Sequence, residues 1–165
     1  MADRPPRFSM LREYSLADLF TLGNGACGTI VLFLCLHYIA EDERRYLWTA
    51  FLLLPVAFVL DALDGWIARK LRVGSRLGAD LDSLADIVSF GVAPAVIGYT
   101  LGLRGGWDMA ILVGFVLCGI SRLARFNVTA DALADPETHK VRYFEGTPIP
   151  TSLLVVAVLG VAFKL

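Results

Sequence analysis

Charge is scarce in this sequence. Of 165 residues only 19% are charged, and 15 Lys and Arg nearly balance 16 Asp and Glu. So thin a polar coat excludes an ordinary water-soluble domain, and the near-neutral balance leaves no basic field to attract nucleic acid. Cysteine is scarce too. Cys27, Cys35 and Cys118 sit singly inside apolar stretches, without metal-ligand spacing. They exclude a zinc cluster or a disulfide framework and read as small packing residues. Internal repeats and low-complexity tracts are also lacking. What the chain has in abundance is hydrophobic sequence, 56% of the residues, gathered into long runs.

A helix needs roughly 20 predominantly apolar residues to cross the hydrocarbon core. Five stretches qualify, at about 17–39, 46–67, 77–101, 107–126 and 147–165. The first is too long for the apolar region of a signal peptide, and all five are too continuous for tilted barrel strands. The expected fold is all-α, a polytopic transmembrane helical bundle with five spans. Residues 1–16 form an N-terminal cytoplasmic or interfacial segment, and 17–165 form one membrane domain. Pro5-Pro6 before Phe8 is compatible with a short interfacial helix or with a disordered arm. Basic residues gather in the N-terminal segment (Arg4, Arg7, Arg12), between the second and third spans (Arg69, Lys70, Arg72, Arg76), and between the fourth and fifth (Arg122, Arg125, Lys140, Arg142). The opposite connections hold Arg44, Arg45 and Arg104. This asymmetry predicts a cytoplasmic N-terminus and one sizeable cytoplasmic loop, 128–145. On that side the Asn127-Val128-Thr129 glycosylation pattern is a chance match.

Against this background the second and third spans carry carboxylates. Asp61, Asp64, Asp82 and Asp86 lie inside apolar runs, where each costs at least ~2.5–3.5 kcal/mol on insertion scales. At about 100° per residue, Asp61, Asp64, Gly65 and Ala68 share a face of the second helix, with Arg69 at its edge. On the third, Gly78, Asp82, Asp86 and Ser89 fall within an arc of roughly 80°. Asp80 points the other way and reads as a solvated first-turn residue. Antiparallel neighbours joined by a short connection can turn both acidic faces into one cavity near the cytoplasmic surface. Oxygen-only ligands suit Mg²⁺, Mn²⁺ or Ca²⁺ rather than zinc. Gly65, Ala68 and Gly78 either let helices approach closely or leave room for a bulky ligand. Pairing with Arg69, Lys70, Arg72 and Arg76 is a bland alternative that suits Asp64. Asp86 lies about two turns too deep for it.

Asp61-Ala-Leu-Asp64-Gly65-Trp-Ile-Ala68-Arg69, then Gly78, Asp82 and Asp86 at fixed spacing, resembles the signature of the CDP-alcohol phosphatidyltransferase family. Asp82-Ser-Leu-Ala-Asp-Ile-Val-Ser-Phe-Gly-Val-Ala-Pro94 is similar to the branch that makes phosphatidylserine. So are Ser121-Arg-Leu-Ala-Arg-Phe-Asn127, Phe144-Glu-Gly-Thr-Pro-Ile-Pro150 and Leu19-Phe-Thr-Leu-Gly-Asn-Gly-Ala-Cys-Gly28. The likeness runs over nearly the whole chain from the first span. Family members have at least six spans, so this chain reads as C-terminally shortened.

The resemblance implies a membrane enzyme that moves the phosphatidyl group of CDP-diacylglycerol to the hydroxyl of L-serine and releases CMP. It implies a divalent cation, Mg²⁺ or Mn²⁺, as one ion or two, and a homodimer in the lipid bilayer. Asp61, Asp64 and Asp82 would be metal ligands, with Asp86 beside the cations and acting as general base. A carboxylate is a weak base for an alcohol, so burial or a nearby cation has to assist it. Asp61, Gly65, Ala68, Arg69 and Gly78 would bind CDP-diacylglycerol. Arg122 and Arg125, three apart on one face of the fourth helix, suit a phosphate or the serine carboxylate, or snorkel to lipid headgroups. Ser89 and Asn127 are further candidates for contact with serine. Glycerol 3-phosphate, choline or inositol phosphate as acceptor is the nearest rival reading. A cation transporter is the distant one, disfavoured by the apolar outward halves of the spans.

Overall fold

A capping box starts the first helix. The Ser15 hydroxyl accepts from the Asp18 amide at 3.3 Å, and the Asp18 carboxylate accepts from the Ser15 amide at 2.6 Å, so two otherwise orphaned donors are satisfied. The computed structural model describes residues 15–71, 76–133 and 152–162. Helix α1 covers Leu16–Glu41 and ends on Asp42, whose left-handed conformation (φ 54°) lets its amide reach the Tyr38 carbonyl at 2.9 Å. Only Asp42 and Glu43 precede α2, Arg44–Leu71, so the two helices form a tight antiparallel pair. Next come α3 (Arg76–Asp86), a π-helical segment (Ile87–Val92) and α4 (Ala93–Thr100), which together make one span. A turn through Gly102, at φ 121°, leads into α5, Gly106–Leu133. Helix α6 covers Ser152–Ala162.

Four of these segments are long and apolar enough to cross a bilayer: Leu16–Glu41, Arg44–Leu71, Leu77–Thr100 and Gly106–Val128. Large hydrophobics such as Leu19, Phe33, Leu52, Ile111 and Leu117 point outward, as they must when lipid is the solvent. The protein is an all-α integral membrane protein. Its apolar core lies at one end of the bundle, where Val31 and Cys35 of α1, Ala50 and Leu54 of α2, Ala93 and Ile97 of α4, and Val156 of α6 pack together. The other end, near the α2–α3 connection, holds the carboxylates.

Four features differ from the sequence expectation or extend it. Helix α5 runs to Leu133, so the loop expected over 128–145 does not begin at residue 128. Thr-Ala-Asp-Ala-Leu contains nothing that breaks a helix, and the helix simply continues past the apolar run. Asp80 is exposed, as expected, but stands one turn into α3 rather than in its first turn. The third span is interrupted by the π segment, which periodicity did not announce. The fifth span is described only over Ser152–Ala162. The N-terminal arm with Pro5 and Pro6, the basic residues Arg72 and Lys140, and Thr147–Pro150 lie outside the described residues.

Candidate active site

Asp61 and Asp64 stand one turn apart near the end of α2, and Asp82 and Asp86 one turn apart on α3. The helix pair turns them toward one another. One carboxylate oxygen each from Asp61, Asp64 and Asp82 lies within 4.8 Å of the other two. Asp86, one turn along α3 from Asp82, lies beside Asp61. Asp64 is buried, and the other three are half-buried.

Helix α1 supplies the neutral partners. Thr21 Oγ1 donates to Asp64 Oδ2 at 2.7 Å, and Asn24 Nδ2 donates to Asp86 Oδ1 at 3.2 Å. Both α1 residues are buried. Sequence reasoning missed them, although a Thr and an Asn three apart in an apolar span are a usable signal. Two buried oxygens, Asp82 Oδ1 and Asn24 Oδ1, have no hydrogen-bond partner among the described residues. Crowded carboxylates with an unpaired buried oxygen fit a hard divalent cation, which supplies the positive charge the cluster needs.

The remaining expected residues surround this cluster unevenly. Arg69 is exposed and folds back along α2; a Cβ on Gly65 would lie 3.3 Å from its Nη1. Gly65 therefore makes room for the guanidinium. Ala68 and Gly78 are half-buried beside the acidic faces. Ser89 is fully buried in the π segment, and its Oγ donates to the main-chain oxygen of Asn24 at 2.8 Å. That bond ties the π segment to α1. Asn127 Nδ2 donates to Ser83 Oγ at 2.9 Å and so ties α5 to α3. On α5, Arg122 is half-buried and Arg125 exposed.

A membrane bundle with a carboxylate cluster at one end of its spans defines an integral membrane protein. Residues 14–165 match the CDP-alcohol phosphatidyltransferase family model, and the chain belongs to that family. It is 45% identical over 157 residues to the CDP-diacylglycerol–serine O-phosphatidyltransferase of Saccharomyces cerevisiae, covering 94% of this chain and 56% of the yeast protein. The protein of that name from Bacillus subtilis is 32% identical over 148 residues, covering 88% of this chain and 75% of the relative. An archaetidylserine synthase from Methanothermobacter thermautotrophicus is 36% identical over 147 residues, with coverage of 87% and 56%. The chain thus spans little more than half the length of two of these three relatives.

Proposed function

We propose that the protein transfers the phosphatidyl group of CDP-diacylglycerol to L-serine, giving phosphatidylserine and CMP. The observation that carries this reading is the convergence of Asp61, Asp64 and Asp82 within 4.8 Å, beside Asp86, in a chain whose relatives are named as serine phosphatidyltransferases. The chemistry supplied by a bound Mg²⁺ or Mn²⁺ is neutralisation of the pyrophosphate and of the departing CMP. Asp61, Asp64 and Asp82 would hold it, with Thr21 fixing the Asp64 carboxylate. Asp86 accepts the proton of the serine hydroxyl as its oxygen bonds to the lipid-bearing phosphorus. The bond from that phosphorus to CMP breaks, and CMP leaves with the electron pair. Arg69 binds a phosphate oxygen. Gly65, Ala68 and Gly78 leave space for the cytidine. Arg122 and Arg125 receive the serine carboxylate, as a guanidinium fork can, with Asn127 at the edge of that pocket.

In this reading the site and the N-terminus face the cytoplasm, which the distribution of basic residues supports, and two copies form a homodimer. The acyl chains of the donor stay in lipid while its head enters a site open to dissolved serine. A cation-transport reading needs a polar exit at the far end of the bundle. There the core of Val31, Cys35, Ala50, Leu54, Ala93, Ile97 and Val156 is apolar and buried.

The test is product analysis by mass spectrometry. Purified protein in detergent is given CDP-diacylglycerol, Mn²⁺, and L-serine, glycerol 3-phosphate, choline or inositol phosphate in parallel. Phosphatidylserine from serine alone is the expected outcome. A lipid product from a different alcohol would keep the transferase and replace the acceptor. No product from any of the four would remove the reading.

A further inference from the structure

Asn24 grips the third span at two points. Its side-chain Nδ2 donates to Asp86 Oδ1 at 3.2 Å, and its main-chain oxygen accepts from Ser89 Oγ at 2.8 Å. The two bonds straddle the start of the π segment at Ile87. One turn further along α1, a Cβ on Gly28 would fall 2.8 Å from Ser89 Cα and 3.0 Å from its amide nitrogen, so the two backbones touch there. Asn24 is 0% exposed and still leaves its Oδ1 without a partner among the described residues. Helix glue alone would be served better by an apolar side chain, because a buried amide with an unpaired oxygen is costly. A π turn placed directly after a reacting group is also a common mark of function.

We infer that Asn24 is a positioning residue for Asp86, clamped by Ser89 and Gly28 so that its amide fixes how that carboxylate faces the acceptor hydroxyl. The inference rests on the transfer reading given above. In this arrangement Asn24 acts on the proton-accepting group, while Thr21, one turn earlier on the same helix, holds Asp64 of the metal-holding set. Removing the amide lets the Asp86 carboxylate rotate without disturbing donor binding.

The experiment compares wild type, Asn24→Ala, Ser89→Ala, Asp86→Asn and the Asn24→Ala/Asp86→Asn double variant. CMP release is measured at saturating Mn²⁺, with kcat, KM for CDP-diacylglycerol and melting temperature recorded for each. Asn24→Ala is expected to lower kcat by about 10–100-fold, the cost of losing a hydrogen bond to a charged group, with KM for the donor within about threefold. In the Asp86→Asn background the same change should cost less than about twofold, because the residue it positions is already gone. Ser89→Ala, which leaves the amide but frees its clamp, should show the same pattern at about 3–10-fold, and it carries the test if Asn24→Ala does not fold. Undiminished kcat, an equal loss in both backgrounds, or a loss in KM and melting temperature alone would each overturn the inference while leaving the transfer reading intact. A wild-type protein that releases no CMP with any alcohol would overturn the reading and this role together.

Discussion

Asp61, Asp64 and Asp82 bring like charges within 4.8 Å of one another, and near a protein surface each such pair repels by roughly 3 kcal/mol. The cluster is therefore a liability until a cation fills it. Two opposite effects of Asp82→Asn follow. In chelator the variant should melt higher than wild type, by about 2–4 °C for each kcal/mol of repulsion relieved. With Mn²⁺ added, wild type should rise in melting temperature and the variant should not, and thermal denaturation in detergent reads both arms. Thr21 makes a smaller claim. Thr21→Val removes one hydroxyl-to-carboxylate hydrogen bond to Asp64 and should cost about 10–100-fold in kcat/KM, as loss of about 1.5–3 kcal/mol implies. The four aspartates were legible in the sequence because a carboxylate inside an apolar run needs a reason to be there. Thr21 and Asn24 left only a fainter signal, because one hydroxyl or amide in a span is a far weaker anomaly than a carboxylate. Ser89 was legible as a polar residue on the acidic face, yet only the structure shows its hydroxyl occupied by Asn24.

Helices α1 and α3 approach through glycines, but the glycines are not equivalent. A Cβ on Gly25 would meet Ala85 Cβ at 3.5 Å, an ordinary contact, whereas one on Gly28 would press on the Ser89 backbone at 2.8 Å. Gly25→Ala should leave melting temperature and activity within about twofold of wild type. Gly28→Ala should force α1 off the π segment, cost about 1–3 kcal/mol as overpacking does, and lower activity at least tenfold. Melting curves and CMP release on the two variants separate these cases. At this scale the spans themselves were easy to read, since length and apolar composition fix them. Their ends and irregularities were harder. The extension of α5 to Leu133 follows ordinary helix propensity past the apolar run, and the π segment, which packs on α1 at Ser89, leaves no mark in one helix's periodicity.

Polarity divides the whole bundle lengthwise, with a dry core at one end and the acidic group at the other. The topology proposed from the basic residues puts the acidic end in the cytoplasm. In a cysteine-free background, Asp80→Cys should react with a membrane-impermeant maleimide only from the cytoplasmic side of oriented vesicles. Asp42→Cys, in the exposed turn between α1 and α2, should react only from the other side. The reverse labelling would invert the topology. This two-ended design was legible in the sequence from the clustering of aspartates and arginines. The neutral support from α1 became visible only when the helices were assembled. The most direct test of the central claim, that the carboxylate cluster holds the cation for phosphatidyl transfer, is CMP release from CDP-diacylglycerol and L-serine, titrated with Mn²⁺ after chelation. Wild type should be silent in chelator and recover in a saturable way, while Asp61→Asn should stay at least about 100-fold below it at every Mn²⁺ concentration. Release that persists in chelator, or that Asp61→Asn leaves unchanged, would contradict the account.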